Sequence, residues 1–333
     1  MQKFLIIQTA FIGDVVLATG LVEKLHQHFP GAQIDFLVRK GNEGLLQGHP
    51  FLHEVLVWNK KQQKLLNWWR MLRTIRARRY DKVINVQRFA ATGLLTAFSR
   101  GKETIGFDKN PFSWLFSTRI QHRISQGENT LHEIERNNEL VKHFTGDRVA
   151  KPRLYPSAAD EVTVKELVRK PFITIAPASV WYTKQFPADQ WIRFINRVPP
   201  QYTIYLLGAP ADKPLAAVIM QQASHPAMVN LCGQLSFLQS AALMKRATMN
   251  YVNDSAPMHF ASAVNAPVTA VYCSTLPAFG FGPLSDQSFI VQKEEPLYCR
   301  PCGLHGRKEC PEGHFKCAFD IREEQLLRTM QAV

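Results

Sequence analysis

Four short segments carry side chains that could handle a phosphorylated, hydroxyl-bearing ligand. The sharpest is Asn253-Asp254-Ser255-Ala256-Pro257-Met258-His259, which follows an apolar run ending at Val252. Asp254 or Ser255 can cap the helix expected next, and Pro257 suits its first turn. Ser255 and Ala256 are small, so backbone N–H groups stay open at a helix start, a geometry that binds a diphosphate. On the residues alone, a well-capped helix with no ligand is an equal reading. The second segment is Thr9–Thr19, where Gly13 lets the backbone bend tightly beside a ligand and Asp14 stands at a helix start. Read barely, Asp14 is an N-cap worth about 1 kcal/mol. The third runs from Ala176 to Pro187 and holds Lys184, with Ser179 and Thr183 able to donate hydrogen bonds. By spacing alone, Lys184 is a surface lysine. In the fourth, Asp212 follows a strand and the turn Gly208-Ala209-Pro210. An acid beyond a second strand commonly takes a ribose hydroxyl pair, and it also serves as a helix cap.

These segments, in this order, carry a resemblance. Asn253–His259 resembles the D-[ST]-G-x-x-H motif of glycosyltransferase family 9, the ADP-heptose:lipopolysaccharide heptosyltransferases, with Ala256 in place of the usual glycine. Thr9–Thr19 is similar to that family's first βα turn, which carries a G-D pair. Ala176–Pro187 resembles its phosphate loop, and Asn85-Val86-Gln87-Arg88 its acceptor-side loop. Thr104–Phe107 and His132–Asn137, with Glu133 and Arg136, resemble two further family segments.

The resemblance implies a GT-B fold: α/β, two Rossmann-like domains facing across a cleft. Residues 1–155 would bind the acceptor and residues 156–333 the nucleotide-sugar donor. It implies an inverting transfer of heptose from ADP-heptose to the inner core of lipopolysaccharide. Asp14 would be the general base that takes the acceptor hydroxyl's proton. Lys184 would clamp the leaving diphosphate and stabilise its growing charge. Gly13, Ser179, Thr183, Asp212, Asp254, Ser255, Ala256 and His259 would complete the donor side. No cofactor is required for this chemistry. A different nucleotide-sugar transferase or an epimerase on the same fold is the near alternative. A basic, zinc-stabilised nucleic-acid-binding protein is the alternative of another class. Asp14, Lys184 and Asp254 at strand ends argue against that one, so no nucleic-acid partner is expected.

Four of the six cysteines fall in residues 299–317. Cys299-x-x-Cys302, Cys310 and Cys317 have a spacing that could hold one structural zinc, with His305 and His314 interleaved. A reduced, packed cluster is the equal alternative.

The elements that must position these groups read as two rounds of strand and helix. Strands are predicted at Phe4–Gln8, Ile34–Val38, Val55–Trp58, Val83–Val86 and Ile105–Phe107. Helices are predicted at Val15–His28, Gln62–Arg78 and Leu131–Phe144. The proline-rich stretch Lys151–Ser157 reads as the linker. Beyond it the same grammar returns, with strands at Phe172–Ala176, Thr203–Leu207, Met249–Val252 and Val268–Tyr272. Such alternation implies parallel sheets covered on both faces. The length of 333 residues suits two domains. There is no Asp-x-Asp, no G-x-G-x-x-G and no Walker A loop, which disfavours metal-dependent transferases of the other common fold, dinucleotide dehydrogenases and P-loop NTPases.

Net charge is +13, and residues 60–88 hold ten Lys or Arg against Asp81 alone. Such a patch suits nucleic acid, anionic lipid or a phosphorylated glycan, and Trp68 and Trp69 inside it favour a partner over a solvated helix face. Arg73 and Arg76, with Arg88, are therefore the expected acceptor contacts. No apolar run is long enough to span a membrane, and the opening Lys3–Gln8 run is too short for a signal peptide. The protein is expected in the cytoplasm, with peripheral contact at the inner membrane.

Overall fold

The computed structural model describes residues 1–123 and 130–332. The chain divides into two compact units, Met1–Tyr155 and Pro156–Val333. The first holds strands β1 (Lys3–Ile7), β2 (Gln33–Arg39), β3 (Glu54–Trp58), β4 (Lys82–Asn85), β5 (Glu103–Phe107) and β6 (Thr118–Ile120). All pair in parallel, in the spatial order β3-β2-β1-β4-β5-β6. The second holds β7 (Phe172–Ala176), β8 (Thr203–Leu206), β9 (Met228–Asn230), β10 (Met249–Asn253), β11 (Val268–Tyr272) and β12 (Ser288–Gln292), also all parallel, in the order β12-β11-β10-β7-β8-β9. Both orders are the doubly wound one. The strand order reverses between β1 and β4 in the first sheet and between β7 and β10 in the second.

Central strands read as continuous apolar runs because helices cover both faces. β1 and β7 are buried along nearly their whole length. In the first unit Leu5, Ile7, Leu37 and Leu56 pack under Met71, Leu72 and Ile75 of helix Lys64–Arg78. In the second, Trp191, Phe194 and Ile195 of helix Ala188–Ile195 pack on Ile173, Ile175 and Tyr251. Helix Ile12–His28 is buried from Val15 to Leu25. Gly20 permits this: a Cβ there would lie 2.7 Å from the Ala150 carbonyl oxygen. Thr19 Oγ1 accepts the Arg153 N–H at 2.9 Å, which ties the start of the stretch expected as linker to the first unit.

Several boundaries differ from those expected. Helix Lys64–Arg78 starts two residues late because Gln63 takes a left-handed backbone at φ 40. The helix expected over Leu131–Phe144 is two, Glu133–Glu139 and Lys142–Thr145. Strands β6, β9 and β12 and helix Ala90–Ala97 were not expected.

Candidate active site

In an open doubly wound sheet, ligands bind beyond the carboxyl ends of the strands, where the strand order reverses. The loops after β7 and β10 leave the second sheet at that point, and Lys184 and Asp254 meet there. Lys184 Nζ lies 2.7 Å from Asp254 Oδ2, both largely buried. The same carboxylate oxygen accepts from Thr275 Oγ1 at 2.7 Å. An ammonium has three donors, so one contact to Asp254 leaves two for a ligand. Asp254 is spent on this contact and does not cap the following helix, Ala256–Ala263. Ser255 takes the N-cap position but makes no side-chain cap bond, so neither expected capping contact forms. Pro257 sits in the first turn and His259 is buried one turn on.

The two loops are held together by Asn253, whose part the sequence did not show. It is fully buried at the end of β10. Its Oδ1 accepts the Phe186 N–H at 2.9 Å and its Nδ2 donates to the Pro177 carbonyl at 2.9 Å. A carboxamide can do both at once; no purely accepting or donating side chain could.

Thr183 is tied to the cysteine-rich segment and to Ser274. It is buried, and its Oγ1 takes the Arg307 N–H at 2.7 Å and the Ser274 hydroxyl at 2.9 Å. Beside it, Gly306 has φ +74, and a Cβ there would fall 2.8 Å from Lys184 Cγ. The cysteine-rich segment thus braces the lysine loop from behind. Ser179 is partly exposed, and its N–H donates to Gln185 Oε1 at 3.2 Å. Asp212 lies past β8, and its Oδ2 accepts the Ala209 N–H at 2.7 Å. This bond closes the turn Pro210–Asp212, while at the N-cap of the following helix Lys213–Gln222 Asp212 makes no side-chain cap bond.

In the first sheet the reversal lies between β1 and β4. Helix Ile12–His28 begins just past β1, with Gly13 in its first turn. Asp14 is the third residue of this helix and not its N-cap; its Oδ2 reaches back to the Phe11 N–H at 3.2 Å. Gln87, past β4, donates to Gln8 past β1, and Gln8 Oε1 also accepts the Ala10 N–H at 3.2 Å. Gln8 thereby ties the loop after β4 to the Asp14 turn. Glu133 pairs with the Arg136 guanidinium at 2.8 Å. Burial raises the Glu133 pKa, Arg136 opposes this, and the negative charge of Asp14 adds to it. The His132–Arg136 segment therefore shares the electrostatic surroundings of Asp14.

Lys60 was not singled out from the sequence. Its Nζ donates to Thr9 Oγ1 at 2.6 Å and sits over the Trp58 ring at 4.6 Å. Burial, aided by Arg39, lowers its pKa to about 8. Beyond its membership of the basic patch, the signal was its place two residues past β3. Arg88 is exposed beside the Phe89 ring, and Arg73 is exposed on its helix. Arg76 is less available than expected, because its Nε donates to the Phe98 carbonyl at 2.7 Å.

The four cysteines lie close enough that Cys302, Cys310 and Cys299 all act electrostatically on Cys317, but they do not form a closed ligand set. Among the described residues, only Asp35, His53 and Glu54 bring three candidate ligand atoms within 4.8 Å of one another. Arg78 already pairs with Asp35 and Glu54 in that group. Cys299 Sγ lies 3.9 Å from His314 Nε2, a spacing that suits two ligands of one tetrahedral ion. Cys317 is buried in the second unit's core, which pushes its thiol up to about 12.

The chain matches the profile of glycosyltransferase family 9 (heptosyltransferase) over residues 68–314. It is 25% identical over 280 residues to lipopolysaccharide heptosyltransferase 3 of Escherichia coli, covering 80% of this chain and 82% of that protein. The solved glycosyl transferase family 9 protein of Veillonella parvula superposes with a TM-score of 0.84 at 20% identity, over 99% of this chain and 96% of that one. ADP-heptose lipopolysaccharide heptosyltransferase II of Escherichia coli does so with a TM-score of 0.79 at 20% identity, over 100% and 98%.

Proposed function

We propose, from the premise that this chain belongs to glycosyltransferase family 9, that it transfers heptose from ADP-heptose to the inner core of lipopolysaccharide. Asp14 takes the proton of an acceptor hydroxyl as its oxygen attacks the anomeric carbon. The bond from that carbon to the diphosphate oxygen breaks, and ADP leaves with the electron pair. Lys184 and the start of helix Ala256–Ala263 stabilise the charge that grows on the diphosphate. One displacement inverts the anomeric configuration. Asp212 takes the ribose hydroxyls with its remaining carboxylate oxygen, and Ser179, Ser255 and His259 line the donor side. Arg73, Arg88 and Lys60 meet the acidic, phosphorylated acceptor.

One observation carries this reading. Lys184 is fixed on Asp254 where the strand order of the second sheet reverses, the place where this architecture binds nucleotides. Incubation with ADP-heptose and truncated core acceptors, read by product mass, tests it. A product with a hexose donor and none with ADP-heptose would reassign the donor.

The basic surface serves the acceptor's phosphates and not nucleic acid; a gel shift with salt titration tests this. The enzyme works in the cytoplasm, in peripheral contact with the inner membrane. In the cysteine segment Cys299 and His314 would hold a zinc, with Cys302 and Cys310 turning in to complete it. That ion would cross-link the loop behind Lys184, and no step of the reaction runs through it. Elemental analysis of protein purified without chelator tests its presence.

A further inference from the structure

Helix Lys64–Arg78 turns Met71, Leu72 and Ile75 into the first unit's core. On a well-behaved surface helix the outer face would be polar. Here its first turns present Leu65, Leu66 and Trp69 to solvent, at 79%, 46% and 55% exposure. The spacing puts Leu65 and Trp69 one turn apart, with Leu66 beside them. Trp69 is also held in place. Its ring packs edge-on against Trp68 at 5.1 Å, and Trp68 is anchored by its indole N–H to the Ala91 carbonyl at 2.9 Å. The apolar group is flanked by Lys61, Lys64 and Arg70, all exposed. Residues 60–80 hold eight Lys or Arg and no Asp or Glu.

We propose that the first turns of this helix dock the protein on a bilayer bearing anionic headgroups, with Leu65, Leu66 and Trp69 entering the acyl boundary and Lys61, Lys64 and Arg70 on the headgroups. An apolar wedge ringed by one sign of charge matches a layer that is anionic outside and apolar inside. A second copy of the chain fits poorly, since it would set this cationic rim against its own like charge. Nucleic acid would use the cations and an aromatic ring but leave two leucines without a partner. The inference deepens the reading of a membrane-held acceptor, yet its binding test needs neither donor nor acceptor.

The test is flotation with phosphatidylethanolamine vesicles containing phosphatidylglycerol, against phosphatidylcholine vesicles. The parent should float with the anionic vesicles only, and less so as salt rises. Leu65→Asn with Leu66→Asn and Trp69→Gln should lower partitioning at least ~10-fold. Lys61→Glu with Lys64→Glu and Arg70→Glu should do the same. The fluorescence of the parent should be quenched by brominated acyl chains, and Trp69→Phe should remove most of that quenching. Turnover of the Leu65, Leu66 and Trp69 variant on a soluble, delipidated acceptor should equal the parent's. If no such turnover exists in the parent, the proposed reaction fails while the docking surface stands. Four results would overturn the docking surface: a parent that ignores anionic vesicles, an apolar-site variant that floats like the parent, a concentration-dependent dimer abolished by those three substitutions, or duplex DNA that displaces the vesicles.

Discussion

Lys184 Nζ and Asp254 Oδ2 stand 2.7 Å apart, although 70 residues separate them in the chain. The contact spans the loops that leave β7 and β10. It aims a cation at the helix start where the leaving diphosphate is proposed to lie. Lys184→Ala should weaken ADP binding and lower kcat ~100-fold or more, the scale of one lost charge-stabilising donor. Asp254→Asn should leave the lysine in place but unpaired, with a smaller loss of kcat and a lowered Tm. Calorimetry with ADP and single-turnover rates check both. Equal ADP affinity and equal turnover in Lys184→Ala would remove it from the site.

Asp14→Ala should leave ADP-heptose affinity within twofold and lower turnover at least ~100-fold, as expected for a lost general base. Its contact to the Phe11 N–H contributes only about 1 kcal/mol to the helix start. A drop in Tm with near-parental turnover per folded molecule would reduce Asp14 to that structural contact.

Arg73→Glu should raise acceptor KM several-fold at unchanged donor KM, since a reversed charge repels a phosphorylated ligand. Arg76→Glu should also lower Tm, because it removes roughly 1 kcal/mol of stability with the bond to the Phe98 carbonyl. Steady-state kinetics varying each substrate, beside thermal melts, separate the two residues.

Lys60 gives a pH dependence on the acceptor side. Its pKa of about 8 means its charge is lost as pH rises through that value. Acceptor KM should therefore climb between roughly pH 7 and 9, and Lys60→Met should abolish the climb. A pH profile of kcat/KM for acceptor, unchanged by that substitution, would exclude Lys60 from binding.

One buried histidine and one half-buried one set an acid limit on stability. His49 and His122 each have a pKa lowered from 6.5 to about 4, chiefly by burial. Between those values the unfolded chain binds more protons than the folded one, so stability falls as pH drops from 6.5 toward 4. His49→Gln should flatten that slope by about 1.4 kcal/mol per pH unit at most. Denaturant titrations across this range measure it, and an unchanged slope would count against the assignment.

The two sheets were legible because their central strands are apolar runs of five residues or so, each followed by a helical period. β1, β2, β7 and β11 lie within a residue or so of where Phe4–Gln8, Ile34–Val38, Phe172–Ala176 and Val268–Tyr272 placed them. The strands β6 and β9 were missed because each has three residues and a half-exposed edge position, which leaves no hydrophobic pattern to read. At the site, Lys184 and Asp254 could be named from their motifs, but not their pairing. Asn253 and Gly306 escaped for a common physical reason. Their parts depend on groups 67 to 122 residues away, backbone for Asn253 and the Lys184 side chain for Gly306, carried by loops that have no period. The ties of Thr183 to Arg307 and Ser274 were hidden too, because a hydroxyl in a loop has no sequence mark of distant partners.

The strand order also dictates how each sheet can be built during synthesis. β1 leaves the ribosome first and is central; β2 and then β3 add to one free edge, and β4, β5 and β6 to the other. β7 begins the second sheet in the same way, with β8 and β9 on one flank and β10, β11 and β12 on the other. Every new strand therefore lands on an edge that is still open, and none has to wedge between two strands already bonded. Translation, at roughly 5–20 residues per second, can proceed as outward growth from a seed strand. The Lys184–Asp254 contact can form only once the fourth strand of that sheet is made, and Thr275 and Gly306 join it later still. An elongating chain thus carries three strands of the second sheet before Lys184 has Asp254 to pair with.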